Sequence, residues 1–149
     1  MLLSMNNFFI KETIKEALYS YKINEIPVGC IITKNDTIIA RGHNLKEQTN
    51  ISTNHAEIIC INNACSYLKS WKLNGLSMYV SLEPCTMCAG AIFESRIQNL
   101  YIGTSNPFNG FFSCNYHKPN LNLNITWLNN KICELLINNF FKKIRKGHE

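Results

Sequence analysis

The chain has 149 residues, 46% apolar and 17% charged, a balance that suits one globular domain burying roughly two thirds of its unfolded surface and excludes a disordered chain. Fifteen Lys and Arg against ten Asp and Glu leave a net charge of +5, which tilts the protein toward an anionic partner. No apolar run is long enough to cross a bilayer, and the start Met1–Phe9 lacks the basic residues and small-residue cleavage site of a signal peptide, so a cytoplasmic protein with no membrane association is expected.

From Asn7 to Tyr21, Ile10, Ile14, Ala17, Leu18 and Tyr21 recur at helical spacing and predict an amphipathic helix, ended by Pro27. Val28–Thr33 and Thr37–Arg41 are β-rich runs joined by the turn residues Lys34-Asn35-Asp36, a hairpin. A polar loop over 44–54 leads into a helix from about His55 to Leu68, with Asn54 as its expected N-cap. Met78–Leu82 is a short apolar strand, stopped by Pro84. That proline suits the first turn of the next helix, about Cys85 to Ser95. Leu100–Gly103 and Ile125–Leu128 complete five strands, and a helix from Lys131 to Arg145 closes the chain. The long connection 103–124 is of the kind that carries function. Helices alternating with five strands in this order predict an α/β architecture of three layers, a sheet with helices on both faces.

Seven cysteines are many for this length. Without a signal peptide they are expected to be reduced thiols, and Cys30, Cys60, Cys65 and Cys133, lying in apolar stretches, to be small core residues. The remaining chemistry concentrates in His55-Ala56-Glu57 and Pro84-Cys85-Thr86-Met87-Cys88. Cys85 and Cys88, three apart on a first helical turn, point their sulfurs to one side. The free amides and dipole of that turn favour thiolates. One imidazole and two thiolates make three zinc ligands and leave the fourth tetrahedral position for water, the pattern of a catalytic site. Two thiolates cancel the zinc charge and acidify bound water less than three histidines would, so a carboxylate base such as Glu57 is chemically valuable there. Ala56 leaves room for a substrate to approach. A redox role for the Cys-x-x-Cys pair would leave His55 and Glu57 unexplained.

These residues form a known deaminase signature, His-x-Glu with Pro-Cys-x-x-Cys, and the chain resembles the bacterial tRNA-specific adenosine deaminases of the zinc-dependent cytidine deaminase-like superfamily. Further segments carry the likeness: Glu25-Ile26-Pro27-Val28-Gly29, Gly42-His43-Asn44, Ser81-Leu82-Glu83, Met87-Cys88-Ala89-Gly90-Ala91-Ile92, Ser95-Arg96-Ile97, and Leu135-Leu136 followed by Phe140-Phe141. The resemblance implies a single zinc-dependent deaminase domain over residues 1–149. Its fold would be the three-layer α/β/α cytidine deaminase-like fold with a central mixed five-stranded sheet. One Zn²⁺ per subunit would be held by His55, Cys85 and Cys88, with Glu57 as proton shuttle. The implied reaction is hydrolytic deamination of adenosine to inosine at the wobble position of a tRNA anticodon stem-loop, by a homodimer. Asn44 and Ala56 would meet the target nucleotide, and Phe141 and Arg145 of the aromatic-basic C-terminal helix would touch RNA.

From pattern alone Asn44 also reads as a turn residue, and Leu135, Leu136, Phe140 and Phe141 as a core face. Two stretches depart from the family. Asn106-Pro107-Phe108-Asn109-Gly110 stands where an Asp-x-Lys-x-Gly stretch is usual, and Ser52-Thr53-Asn54 where Pro-Thr-Ala is usual. Both lie where RNA contacts are expected, and neither touches the metal ligands or Glu57. Two other functions remain open: a deaminase of a free nucleobase or nucleoside (guanine, cytosine or cytidine), and a non-catalytic zinc-binding RNA-associated subunit, against which Glu57 argues. Cys114 and His117 are a conceivable source of a fourth zinc ligand, one the resemblance does not need.

Overall fold

A computed structural model describes residues 1–114 and 122–148. In chain order the elements are α1 (Leu2–Lys22), β1 (Gly29–Lys34), β2 (Thr37–His43), α2 (Lys46–Thr49), α3 (Ala56–Leu68), β3 (Ser77–Leu82), α4 (Thr86–Glu94), β4 (Asn99–Thr104), β5 (Asn124–Trp127) and α5 (Lys131–Lys146). The strands form one sheet in the order β2-β1-β3-β4-β5. β1 pairs antiparallel with both β2 and β3, whereas β3, β4 and β5 run parallel. This is the mixed five-stranded sheet expected from the sequence.

Alternation along the strands sorts the core onto two faces, because successive side chains point to opposite sides of a sheet. Cys30, Ile32, Met78, Val80, Leu100 and Ile102 face one way and pack with Cys60, Ala64, Ala89 and Ile92 of α3 and α4. Ile31 and Tyr79 face the other way and pack on Phe9 of α1, with Tyr101 stacked on Tyr79 at a centroid distance of 4.3 Å. Ile10 and Ile14 extend that second face to Cys133 of α5. Helices thus cover both faces, as the element order predicted. Of the four cysteines assigned to the core, Cys30, Cys60 and Cys133 are buried and Cys65 is partly buried.

The hairpin closes as its turn residues suggest: Asn35 and Asp36 take positive φ angles of 47° and 61°, the pair that a tight primed turn requires and that Asn and Asp tolerate. Several boundaries differ from the sequence reading. α1 begins at Leu2, five residues before the expected start at Asn7. Asn54 is not the cap of α3; His55 holds the N-cap position, with extended φ and ψ and no side-chain cap bond. The Asn54 amide instead donates to Thr49 Oγ1 at 2.9 Å. The loop over 44–54 contains the one-turn helix α2, which is too short to show a hydrophobic period. Cys85 likewise holds the N-cap position of α4 instead of beginning the helix, with no side-chain cap bond.

Helix α3 lies close on β2 because position 42 lacks a side chain. A Cβ on Gly42 would come within 2.6 Å of the Ala56 carbonyl oxygen and 2.8 Å of the Cys60 nitrogen. That contact brings the start of α3, with His55 and Glu57, against the end of β2. The starts of α3 and α4 meet at the C-terminal ends of β3 and β4, the edge where open α/β sheets place their ligand sites.

Candidate active site

Two helix N-termini converge on one point. His55 occupies the N-cap position of α3 and Cys85 that of α4, and Cys88 lies one turn into α4, fully buried. His55 Nδ1 stands 3.7 Å from Cys85 Sγ and 3.6 Å from Cys88 Sγ. Ligand atoms on a tetrahedral zinc, with bonds of about 2.0 Å to nitrogen and 2.3 Å to sulfur, lie about 3.6 Å apart. Among the described residues these three are the one group of metal-type side chains, their ligand atoms all within 4.8 Å of one another. The donor set and its spacing therefore fit zinc. His117 lies outside the described residues; Cys114 is exposed and does not join the cluster.

The electrostatics of the trio suit a cation. The Cys85 thiol is lowered to about 4, chiefly because the Cys88 thiol donates to it and then because of His55. Cys88 is pushed far up by its hydrogen bond to Cys85 and by burial. His55 is raised, mainly by its bond to Cys85. A divalent ion binds thiolates and a neutral imidazole and so displaces their protons, which makes its affinity rise with pH.

Glu57, 4% exposed on the first turn of α3, accepts a hydrogen bond from Cys88 Sγ at 3.4 Å through its Oε2. Burial raises its pKa to about 6. It lines a cavity of about 100 Å³ together with Asn44, Lys46, His55, Ala56 and Cys85. Ile26, Val28 and Leu82 supply apolar wall, and Asn106 and Asn109 form the outer lip. Asn44 is held by long bonds of 3.4 Å, its amide donating to the Ile26 carbonyl and its Oδ1 accepting from the Lys46 amide. Its backbone N–H also donates to the Val28 carbonyl at 3.1 Å. It is both bound to the neighbouring backbone, as a residue at the end of a strand, and part of the cavity wall.

A second carboxylate in this cavity escaped the sequence reading. Glu83, 1% exposed, accepts from the Asn106 amide at 3.0 Å and the Ser113 amide at 2.8 Å. The Ser113 hydroxyl donates to both its oxygens at 2.9 Å. Gly110 lies against the same carboxylate, where no Cβ would fit. Glu83 is thus the peg on which the departed loop over 105–113 hangs. The one available signal was an acid at the end of an apolar strand, directly before Pro84-Cys85. Lys46, from α2, had no signal at all. Phe141 and Arg145 are not part of the cavity wall: Phe141 is partly buried beside Phe140 and Phe108, and Arg145 is exposed in the last turn of α5.

Residues 3–104 match the cytidine and deoxycytidylate deaminase zinc-binding region. The chain belongs to this zinc-dependent deaminase family. The expected fold, metal and enzyme class are thereby borne out. The deaminase is 37% identical over 147 residues to a tRNA-specific adenosine deaminase of Rickettsia bellii, a match covering 91% of this chain and 99% of that one. It is 42% identical over 108 residues to a tRNA-specific adenosine deaminase of Bacillus subtilis, spanning 72% of this chain and 67% of the relative. A solved structure from studies of A-to-I editing by tRNA:A34 deaminases at the wobble position superposes with a TM-score of 0.74 at 35% identity, covering 82% of this chain and 98% of that chain. A guanine deaminase of Bacillus subtilis superposes at 0.63 with 34% identity over 66% of this chain and 64% of the other. Among the described residues no helix is long and apolar enough to cross a membrane.

Proposed function

We propose that this deaminase converts adenosine to inosine at the wobble position of a tRNA anticodon stem-loop, adding one water and releasing ammonia. The observation that carries the chemistry is the contrast between the two cavity carboxylates. Glu83 spends both oxygens on loop donors, whereas Glu57 receives one long thiol bond and has its pKa raised to about 6. A carboxylate near neutrality and free of strong partners both takes and gives protons. In this reading His55, Cys85 and Cys88 hold Zn²⁺, which as a Lewis acid makes water nucleophilic at neutral pH. Glu57 accepts one proton of the attacking water and delivers it to a ring nitrogen, then carries the second, from the new hydroxyl, to the amino group, which departs as ammonia and leaves the carbonyl of inosine. Ala56, without a side chain beyond Cβ, leaves the approach open, and Asn44 offers its amide to the target nucleotide.

The likeness to a tRNA enzyme over nearly the whole chain supports RNA as substrate. So does α5, whose last turn carries Lys143, Arg145 and Lys146 beside Phe141. A single-stranded loop is the RNA form whose base can be splayed into such a cavity. We assign the enzyme to the cytoplasm, as one domain acting as a homodimer, the latter measurable by sedimentation equilibrium. The likeness to a guanine deaminase favours a second reading, conversion of a free base with the same metal and Glu57.

The deciding experiment is inosine formation on an adenosine-wobble anticodon stem-loop beside free adenine, adenosine, cytosine, cytidine and guanine. Conversion of the stem-loop is expected. Conversion of a free base or nucleoside with the stem-loop untouched would overturn the substrate. Glu57→Ala is expected to keep its zinc and lose turnover by about 10²- to 10⁴-fold; full activity in that variant would overturn the role of Glu57.

A further inference from the structure

Phe108, in the loop after β4, is 70% exposed. Exposed aromatic rings are ordinary on flexible tips, but this one is held. Its N–H donates to Asn106 Oδ1 at 3.1 Å, the Asn109 N–H reaches the same oxygen at 3.4 Å, and the Gly110 N–H closes the turn on the Asn106 carbonyl at 3.2 Å. Asn106 is in turn pinned to the buried Glu83 carboxylate. From below, Phe141 supports the ring at a centroid distance of 5.3 Å, and buried Phe140 supports Phe141 at 5.7 Å. Asn106 and Asn109, on either side of Phe108, line the catalytic cavity. A held aromatic ring therefore sits between two residues of the cavity wall with most of its surface in water.

We propose that Phe108 is a specificity residue that stacks on the base of a nucleotide flanking the target adenosine. This rests on the RNA reading above, because a free base has no neighbour to stack. When the target nucleotide turns into the cavity, its neighbours lose their own stacking partners. An aromatic ring fixed at the lip replaces one of them without first paying the entropy of ordering its loop. Base–aromatic stacking tolerates any base, since every base has a π-face. Phe108 thus reads the presence of a flanking base and not its identity. Stacking of this kind involves no phosphate charge, so the contact is insensitive to salt.

The test is steady-state deamination of wobble-adenosine stem-loops, intact or with one flanking nucleotide made abasic at a time. For the parent enzyme, an abasic site at the stacked position is expected to raise KM about tenfold. Phe108→Ala is expected to raise KM on the intact loop by a similar factor and then to ignore the abasic site. Phe108→Trp should recover the parent KM. Phe108→Leu retains apolar packing on Phe141 without a π-face; it should behave like alanine, which separates stacking from loop support should Phe108→Ala lose stability. Parent KM values for Phe108→Ala and Phe108→Leu on the intact loop would overturn the inference and leave the tRNA reading standing. A parent enzyme that converts a free base and no stem-loop would overturn both.

Discussion

The three long helices that follow β2 start in two different ways. At α5 the N-cap Asn130 accepts from the Ile132 and Cys133 amides at 3.0 and 3.1 Å, the arrangement that satisfies a helix end and stabilises it by about 1 kcal/mol. At α3 and α4 the N-cap positions belong to His55 and Cys85, and neither side chain caps its helix. Both helices leave amide donors and a positive dipole end unspent and turn them toward one point, where they favour thiolates and a metal-ligating imidazole. Local stability is given up at the two helix starts that form the site and retained at the one that does not. A rule broken twice at the same place is the mark of a functional site.

Removing a ligand should break this comparison most severely. Cys88→Ala is expected to release zinc and abolish deamination, and to lower the melting temperature of the zinc-loaded protein by several degrees, since metal affinity is folding energy. Zinc content by atomic absorption checks it; one equivalent retained would remove Cys88 from the ligand set.

A smaller effect belongs to Glu57 in the zinc-free protein. Its folded pKa of about 6 lies above the ordinary 4.5, so between these values the folded state keeps a proton that the unfolded chain has lost. Stability must therefore fall as pH rises from 4.5 to 6. The cost, about 2 kcal/mol, is absent below that window and fully present above it. Glu57→Gln removes the titrating group. Urea unfolding of the chelated proteins should show the variant gaining about 2 kcal/mol on the parent between pH 4 and pH 8. A pH-independent difference would show that burial does not govern this carboxyl.

The smallest effects sharpen the comparison itself. Asn130→Ala should cost about 1 kcal/mol with zinc content unchanged. His55→Asn in the zinc-free protein should stabilise by about 0.5 kcal/mol, because a good capping side chain replaces a poor one, while losing the metal. If His55→Asn destabilised the zinc-free fold, the start of α3 would not be the sacrificed cap described here.

Much of the fold was legible where short-range pattern carries it. Asn35-Asp36 at the hairpin, the apolar runs of β1, β3 and β4, and the period of α1 are local consequences of turn chemistry and burial. Boundaries erred where tertiary contact overrides pattern, as at Asn54, whose amide is drawn to Thr49 and not to the helix it precedes. The site divides in the same way. His55, Glu57, Cys85 and Cys88 were readable because the ligand trio has fixed element preferences and spacing, and because both halves open helices.

Glu83, Lys46, Asn106 and Asn109 were not readable as cavity residues. Glu83 meets Asn106 and Ser113 across 23 and 30 residues, and Lys46 and Asn109 reach the cavity only through the folding of their loops; no periodicity encodes such meetings. Sequence alone determined the metal chemistry and the layered fold, since both follow from residue type and local spacing. Only the tertiary structure showed that the cavity holds a second carboxylate, Glu83, with both oxygens tied to a loop, because that depends on which donors the folded chain brings to each oxygen.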